Sequence, residues 1–411
     1  MNSPLTLRGW KNGGAFKEMC LLHCHLPSAR LGHILPPKRE RPIEVKALYA
    51  LPDHEVVADL IPGILEKRLA TEEAIARIRA TPGMVPVAID PEGEAGEGAV
   101  LWADIGDHPF REWQFMYTIE KLSQDGLIGE AFTTDFAILQ DDRILADPIE
   151  PDGFLFHISR CGSTLTAKAL ARSPRHVVIN QGGPLQRGFW ATITRDWTRE
   201  AEASPENLKA FRNLVLAMTR RRQPEQVHAF VKFISWNTLY MDFAMRAFPQ
   251  VPALFLYRDP VEVIASVLRE TSAVLWAKGR RQAGFLIGDD WRETQEMGDV
   301  EYLARCFAHY LEVAEQASGH VALVNYTDIS PASFPIMLVR GLSFRPDEEE
   351  LALMLDQFRF HSKDDSDKQA FKVDSAEKRA SMPDEDKRLV AQICGDLVAR
   401  LDRSASNLFA P

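Results

Sequence analysis

From Gly153 onward the chain alternates short apolar runs with helical segments, and this alternation limits the fold more than any other feature. The apolar runs are rich in Val, Ile, Leu and Phe and are short, as strands are, whereas helices need longer segments. Short apolar strands separated by helices predict a parallel sheet whose two faces are both covered. The predicted strands are 154–158, 177–179, 229–234, 253–257 and 321–324. We therefore predict an α/β fold with a parallel sheet flanked by helices.

The chain before this region predicts a different organisation. Residues 1–45 are rich in Gly, Pro, His and basic side chains, so we expect them to be poorly ordered. Residues 46–145 predict a small α+β domain with a helix over 71–80 that begins at the N-cap Thr71, strands at 85–89 and 99–105, and a helix over 111–122. This segment carries no recognisable chemical motif. The predicted third unit is 150–411, with helices over 164–171, 205–221, 238–248, 261–271, 300–317, 347–357 and 384–402.

Charge and cysteine usage narrow the class of protein. The formal net charge of −10 argues against wholesale binding to nucleic acid or to an acidic membrane surface, but it leaves room for a local basic site. No apolar run approaches the length of about 20 residues that a membrane span needs. The cysteines number five and are irregularly spaced, which predicts a reduced, cytoplasmic protein without disulfides. Cys20 and Cys24 lie beside two histidines, but no second ligand pair follows, so we expect no metal.

The first predicted site is the turn after the strand at 154–158, where a run of small residues precedes a helix. Small residues let the backbone wrap closely around an anion, and the helix start adds partial positive charge. The groups that would hold a phosphate or phosphosulfate are Ser159, Arg160, Cys161, Gly162, Ser163 and Thr164.

This turn differs from the loop of ATP and GTP kinases, because the Gly-x4-Gly-Lys-Ser/Thr pattern is missing and no lysine precedes Ser163. The plain alternative is an ordinary strand-to-helix turn in which Ser163 and Thr164 only cap the helix. Cys161 is interpreted as a small turn residue, because no histidine is arranged to activate it as a nucleophile.

The second predicted site follows the strand at 253–257. Arg258 ends this strand, Pro260 suits the first position of a helix, and Ser266 lies nearly two turns into that helix. Arg258 and Ser266 can close on one phosphate at the sheet edge where open α/β sheets bind ligands. The alternative is that Arg258 pairs with Asp259 or Glu262 on the surface.

Both segments resemble sulfotransferases of the bacterial and tyrosylprotein type. The core of residues 159–164 resembles that family's loop for the 5′-phosphosulfate, and Arg258 with Ser266 resembles its 3′-phosphate motif. The resemblance covers residues of about 150–380. It implies a P-loop-like α/β fold and the co-substrate 3′-phosphoadenosine-5′-phosphosulfate, with transfer to an acceptor hydroxyl or amine and no metal. Lys232 resembles a lysine that lies near the transferred group in several members.

The resemblance leaves the catalytic base open. Many cytosolic members have Lys-x-His on the strand before the 3′-phosphate motif, whereas this chain has Ile234 in place of the histidine. Gln181 occupies the position where tyrosylprotein-type members have a glutamate, and an amide is no base. His228 is the preferred alternative base, and His157 is more typical of a packed core histidine. Otherwise the acceptor reacts unaided, or the protein binds nucleotide without transferring sulfate.

Two further segments are weaker candidates. In sulfotransferases a basic segment near the end often closes over the nucleotide, which makes Lys363, Lys372 and Lys378 candidate contacts, although a solvated loop explains them as well. Residues 276–285 predict either a lid over the acceptor or a surface loop. An ATP-dependent phosphotransferase is favoured only by the shape of the loop at 159–164.

Overall fold

A computed structural model of the protein describes residues 52–93, 97–370 and 375–410. The strands are β1 (Met84–Asp90), β2 (Ala99–Asp104), β3 (Ala131–Asp135), β4 (Pro151–His157), β5 (His176–Asn180), β6 (His228–Lys232), β7 (Ala253–Tyr257) and β8 (Val321–Asn325). The helices are α1 (Asp53–Leu60), α2 (Thr71–Ala80), α3 (Phe115–Gln124), α4 (Ser163–Leu170), α5 (Phe189–Thr194), α6 (Pro205–Met218), α7 (Met241–Ala247), α8 (Pro260–Glu270), α9 (Ala273–Ala277), α10 (Arg281–Ile287), α11 (Asp299–Gln316), α12 (Phe334–Ile336), α13 (Glu348–Asp356), α14 (Ser375–Ser381) and α15 (Asp384–Asp402).

Five strands form one all-parallel sheet in the order β5-β6-β4-β7-β8. β4 pairs with β7 in register from Phe154 opposite Ala253 to His157 opposite Leu256. Consecutive residues along β7 are all buried, so helices cover both faces of the sheet. The predicted parallel α/β sheet is confirmed. Because the chain runs from β4 to one side and later crosses to the other, the carboxyl end of β4 is a switch point of the topology.

Three strands form a second, antiparallel sheet in the order β1-β2-β3. β1 and β2 were predicted from their apolar runs, whereas β3 was not, because its five residues include one large apolar side chain, Phe132, and no alternating pattern. This sheet packs closely against the rest of the chain. A Cβ atom on Gly188 would lie 2.4 Å from the carbonyl oxygen of Ile89. The buried Arg220 donates hydrogen bonds to the carbonyls of Ile78 and Met84, at 2.6 and 3.4 Å.

Local signals explain most helix starts. The side chain of Ser204 accepts a hydrogen bond from the amide of Asn207 and caps α6, and Asp259 caps α8 with Pro260 in its first position. Thr71 is the first residue of α2 rather than its cap, because Ala70 occupies the cap position without a side-chain hydrogen bond. The division at 145–150 into two domains stays a prediction. No helix in the described ranges is long and apolar enough to cross a lipid bilayer.

Candidate functional site

The carboxyl ends of the parallel strands surround a cleft with a cavity volume of about 190 Å³. Gln181 follows β5, Lys232 ends β6, the loop at 158–162 follows β4, and Arg258 follows β7. Neighbouring strands lie about 4.8 Å apart, so these groups form a row along one edge of the sheet. All eight residues predicted to contact phosphate line this cleft, and so does Lys232.

The loop between β4 and α4 has an unusual backbone. Ser159, Arg160 and Gly162 have positive φ angles of 93°, 50° and 83°, which non-glycine residues adopt only at a cost. The first hydrogen bond of α4 runs from the amide of Thr166 to the carbonyl of Gly162, at 3.0 Å. The amides before Thr166 therefore precede the hydrogen-bonded part of the helix, where anions bind favourably.

His157 shapes this loop. Its Nε2 lies 3.0 Å from the carbonyl oxygen of Phe233, so it must donate, and its Nδ1 accepts the amide of Ser159 at 2.9 Å. Burial, reinforced by the nearby charge of Lys232, holds the pKa of His157 well below 6.5. Both ring nitrogens are thus engaged by the backbone, and His157 holds the loop rather than accepting protons.

Cys161 is fully buried at the base of the loop. Its thiol donates to the carbonyl of Leu256 at 3.1 Å. Burial raises the pKa of this thiol to about 11, so the nucleophilic thiolate is disfavoured.

Lys232 ends β6 with a fully buried side chain. Its amino group makes no hydrogen bond with any part of the chain that the structure describes. Burial lowers its pKa to about 7, and the positive charges of Lys363 and Arg160 add to this effect. A buried amine without a partner is costly unless an anion completes its environment.

Arg258 and Ser266 are both buried, at 3 % and 1 % exposure, and both line the cleft. The guanidinium of Arg258 donates to Glu262 at 2.7 Å and to the carbonyl of Arg160 at 3.1 Å. It also lies over the ring of Tyr326, 4.1 Å from the centroid. The ion pair with Glu262 therefore exists, but it is buried beside the loop at 159–164 instead of lying on the surface.

The cleft is strongly basic. Of the described residues that line it, five are Lys or Arg and one, Glu270, is acidic. Glu270 is bound by the guanidinium of Arg160 and by the amino group of Lys363 at 2.9 Å. Although burial raises the pKa of Glu270, these two cations dominate and lower it to about 2. The lining therefore carries a net positive charge within a protein whose formal net charge is −10.

The remaining candidate residues from the sequence analysis differ in whether they line the cleft. His228 begins β6 and Lys232 ends it, so the two residues are about 13 Å apart along the strand. His228 therefore lies at the amino ends of the strands, whereas the cleft lies at their carboxyl ends. It contacts Asp152 at 3.2 Å and does not line the cleft, so the structure does not bring His228 together with the other predicted site residues. Lys363 and Lys378 do line the cleft. Lys372, and the cysteines at 20 and 24, lie outside the described residues.

Several lining residues were missed by the sequence reasoning, among them Trp113, Glu270 and Ser272. Trp113 comes from the segment before the parallel sheet, which showed no chemical motif, yet it lines the cleft. Its amide donates to Asp365 at 3.1 Å, and Asp365 also binds Lys168 of α4 at 2.7 Å. Trp113 and Asp365 are 252 residues apart in the chain, and no local pattern indicates such a contact.

No protein-family model matches the chain, and no curated protein matches it significantly. In the described part of the chain, no three His, Cys, Asp or Glu side chains group together as metal ligands would. The functional interpretation therefore depends on the geometry and charge of the cleft.

Proposed function

We propose that this protein is a sulfotransferase, which moves a sulfuryl group from 3′-phosphoadenosine-5′-phosphosulfate to an acceptor hydroxyl or amine. The observation that carries the proposal is the unpartnered amino group of Lys232 beside the loop at 159–164, with Arg258 and Ser266 in the same cleft. The sequence resemblance assigns these positions to the transferred group, the 5′-phosphosulfate and the 3′-phosphate, in that order.

The size of the cleft suits the charged end of such a donor. Pockets that enclose a whole small molecule are typically about 300–1,000 Å³. A cavity of about 190 Å³ would enclose the phosphosulfate and leave much of the nucleoside at the rim. Lys363 and Lys378 line the cleft as well and would add charge around the donor.

In this reaction the acceptor atom attacks sulfur while the bond between sulfur and the bridging oxygen of the 5′-phosphate breaks. The bonding electron pair moves to that oxygen, so negative charge accumulates on the leaving phosphate. The ammonium of Lys232 and the amides at the start of α4 would stabilise this charge. The proton of the acceptor must leave as well, and neither His157 nor Gln181 is suited to take it.

A second candidate is a protein of the same fold that binds the nucleotide without transfer. Gln181 favours it, because a neutral amide lines the cleft where the resembling enzymes have a carboxylate base. An ATP-dependent phosphotransferase has weaker support, since the Gly-x4-Gly-Lys pattern is missing from the loop.

Phosphorus NMR of the sulfuryl donor tests the proposal. The donor is incubated with the protein and a pool of simple hydroxyl and amine acceptors, and its conversion to 3′-phosphoadenosine-5′-phosphate is followed. We expect conversion with the native protein and a large loss with Lys232→Met. Binding of donor without conversion would favour the non-catalytic candidate, and turnover of ATP with magnesium would favour the phosphotransferase.

A further inference from the structure

Three buried polar side chains in the cleft have atoms without hydrogen-bond partners in the described structure. They are the amine of Lys232, the amide oxygen of Gln181 and the hydroxyl of Ser272. Buried polar atoms are nearly always satisfied in folded proteins, so a cluster of exceptions in one cleft points to a ligand. The Lys232 and Gln181 atoms do not satisfy each other, because each is unpartnered.

Gln181 departs from ordinary geometry in its backbone as well. Its φ angle is 55°, a conformation that costs free energy for a residue with a side chain. The backbone is held there by a hydrogen bond of 2.8 Å from its amide to the carbonyl of Lys232. A second bond, from the side chain of Gln186 to the carbonyl of Gln181, is 3.2 Å long. The strained turn thus fixes the Gln181 side chain, which is 8 % exposed, beside Lys232.

The strand order shows where Gln181 lies relative to the other residues of the cleft. Along the carboxyl edge, Gln181 of the β5 end comes first, then Lys232, then the phosphate loop, and then Arg258. If the nucleotide occupies the loop and Arg258, its transferred group lies towards Lys232. Gln181 is then on the far side of the transferred group from the nucleotide, which is where an acceptor must approach for an in-line displacement.

The charges of the cleft discriminate between acceptors. A protonated amine needs a carboxylate partner, but Glu270 is already bound by Arg160 and Lys363. An ammonium must also lose a proton before it can attack sulfur, and the described lining of the cleft holds no free carboxylate to take that proton. A neutral hydroxyl has no such cost, and it can donate to the amide oxygen of Gln181.

We propose that Gln181 forms the acceptor subsite of this cleft, and that the subsite takes a neutral hydroxyl rather than an amine. This inference rests on the proposed sulfotransferase function. Gln181 acts as a positioning residue: it holds the hydroxyl proton, so that a lone pair of the oxygen faces sulfur. The new bond joins that oxygen to sulfur, the bridging oxygen leaves with its electron pair, and the proton passes to water.

A crystal structure of the protein with 3′-phosphoadenosine-5′-phosphate provides the first test. We expect an ordered solvent oxygen within about 2.7–3.2 Å of the Gln181 amide, on the side of the 5′-phosphate. A Gln181 amide bonded to the nucleotide, or sealed off by protein, would overturn the subsite while leaving the proposed function intact. Failure of the bisphosphate to bind in the cleft would instead overturn the proposed function, and the subsite with it.

The second test compares acceptors that share a carbon skeleton, such as 4-methylphenol with 4-methylaniline and 2-phenylethanol with 2-phenylethylamine. Labelled sulfuryl transferred to the hydroxyl member of a pair supports the subsite, and label on the amine alone overturns it. If no pair is labelled, the crystal structure of the complex decides.

Variants separate positioning from folding. Gln181→Leu should lower kcat/KM for a hydroxyl acceptor about 3- to 10-fold, the loss of one hydrogen bond, with little change in bisphosphate affinity. Gln181→Glu should keep the activity that Gln181→Leu loses. Its rate should also rise with pH as the introduced carboxyl group ionises. Asn180→Ala is the matched control, since its buried amide oxygen is also unpartnered but it does not line the cleft. An equal loss in the control, or a Gln181→Glu profile identical to that of the native protein, would contradict the assignment.

Discussion

At the scale of one residue, the buried amine of Lys232 lowers the stability of the folded protein. Its amino group is fully buried without a hydrogen-bond partner, and burial lowers its pKa from 10.5 to about 7. The unfolded chain therefore binds this proton more tightly than the folded protein does. The destabilisation is complete below about pH 7 and disappears as the pH approaches 10.5.

Lys232→Met removes this destabilisation while keeping a long apolar side chain. We expect the variant to be more stable than the native protein by roughly 2–5 kcal/mol at pH 6, with a gap that narrows steadily above pH 7. Urea unfolding at pH 6, 7, 8 and 9 measures this difference. A variant less stable than the native protein at pH 6 would mean that Lys232 has a structural partner.

Substitutions of Arg258 test the proposed contact with a 3′-phosphate. Arg258→Ala should weaken 3′-phosphoadenosine-5′-phosphate far more than AMP, because a charge-assisted contact is worth roughly 1.5–3 kcal/mol, or about 10- to 150-fold. Arg258→Lys should recover only part of the affinity, since an ammonium lacks the guanidinium fork. Calorimetric titration measures both ligands.

Arg160→Ala is the comparison for that series, because both nucleotides carry a 5′-phosphate and both should bind more weakly. Circular dichroism first verifies that each variant is folded, since Arg258 also binds Glu262 and the carbonyl of Arg160. Equal losses of AMP and bisphosphate in Arg258→Ala would assign Arg258 a structural role.

At the scale of elements, the loop between β4 and α4 depends on Gly162. Its φ angle is 83°, and a Cβ atom there would lie 2.8 Å from Cδ1 of Ile329 and 3.2 Å from the ring of Tyr326. Gly162→Ala should destabilise the protein by about 1–3 kcal/mol and weaken AMP and bisphosphate alike, because the loop amides move. Thermal unfolding and titration measure the two effects.

Gly298 offers a matched control, because it precedes α11 with an ordinary φ of −62° and open space around its Cβ position. Gly298→Ala should change neither stability nor binding appreciably. If Gly162→Ala behaves like this control, the loop conformation is unimportant for the anion.

Elements were predictable where local signals agree. β7 has the predicted bounds, and α8 begins at Pro260, one residue before the predicted start, because apolar runs and caps are properties of neighbouring residues. β3 was missed, since its only large apolar side chain is Phe132 and its pairing with β2 is not visible in the segment itself. α9 and α10 are short helices in a stretch where helix and loop patterns look alike, and Ala273 of α9 lines the cleft.

The site residues divide in the same way, because those with a local sequence signal were predicted and those that depend on distant contacts were not. The loop at 159–164 and Arg258 were predicted because each follows a strand, and parallel strands bring their carboxyl ends together. Ser266 was predicted from its place on the next helix, and Lys232 only from the resemblance. Trp113 was missed because its place in the cleft depends on a contact with Asp365 across 252 residues. His228 is close to Lys232 in sequence, but the length of β6 separates the two residues, so His228 does not line the cleft.

At the scale of the whole molecule, the two sheets share a continuous hydrophobic core. Arg220 joins them through two backbone carbonyls of the segment that contains β1. Thermal unfolding should therefore show one transition for the described part of the chain, and two separated transitions would support independent domains divided at 145–150.

Arg220→Met should lower the stability of both sheets together, by about 1–3 kcal/mol, because two buried carbonyls lose their donor. Arg246→Met is the control, since Arg246 is exposed and its ion pair with Asp242 spans 3.7 Å. Calorimetry of both variants is decisive here. A loss confined to one of two transitions in Arg220→Met would contradict the shared core.

Calorimetric titration of the native protein tests most directly which ligand this basic cleft binds. The protein is titrated in turn with 3′-phosphoadenosine-5′-phosphate, AMP, and ATP with magnesium. We expect tight binding of the bisphosphate and AMP affinity lower by about 10- to 150-fold, the contribution of a 3′-phosphate held by Arg258 and Ser266. A preference for ATP with magnesium, or equal affinities for the bisphosphate and AMP, would contradict the sulfotransferase assignment.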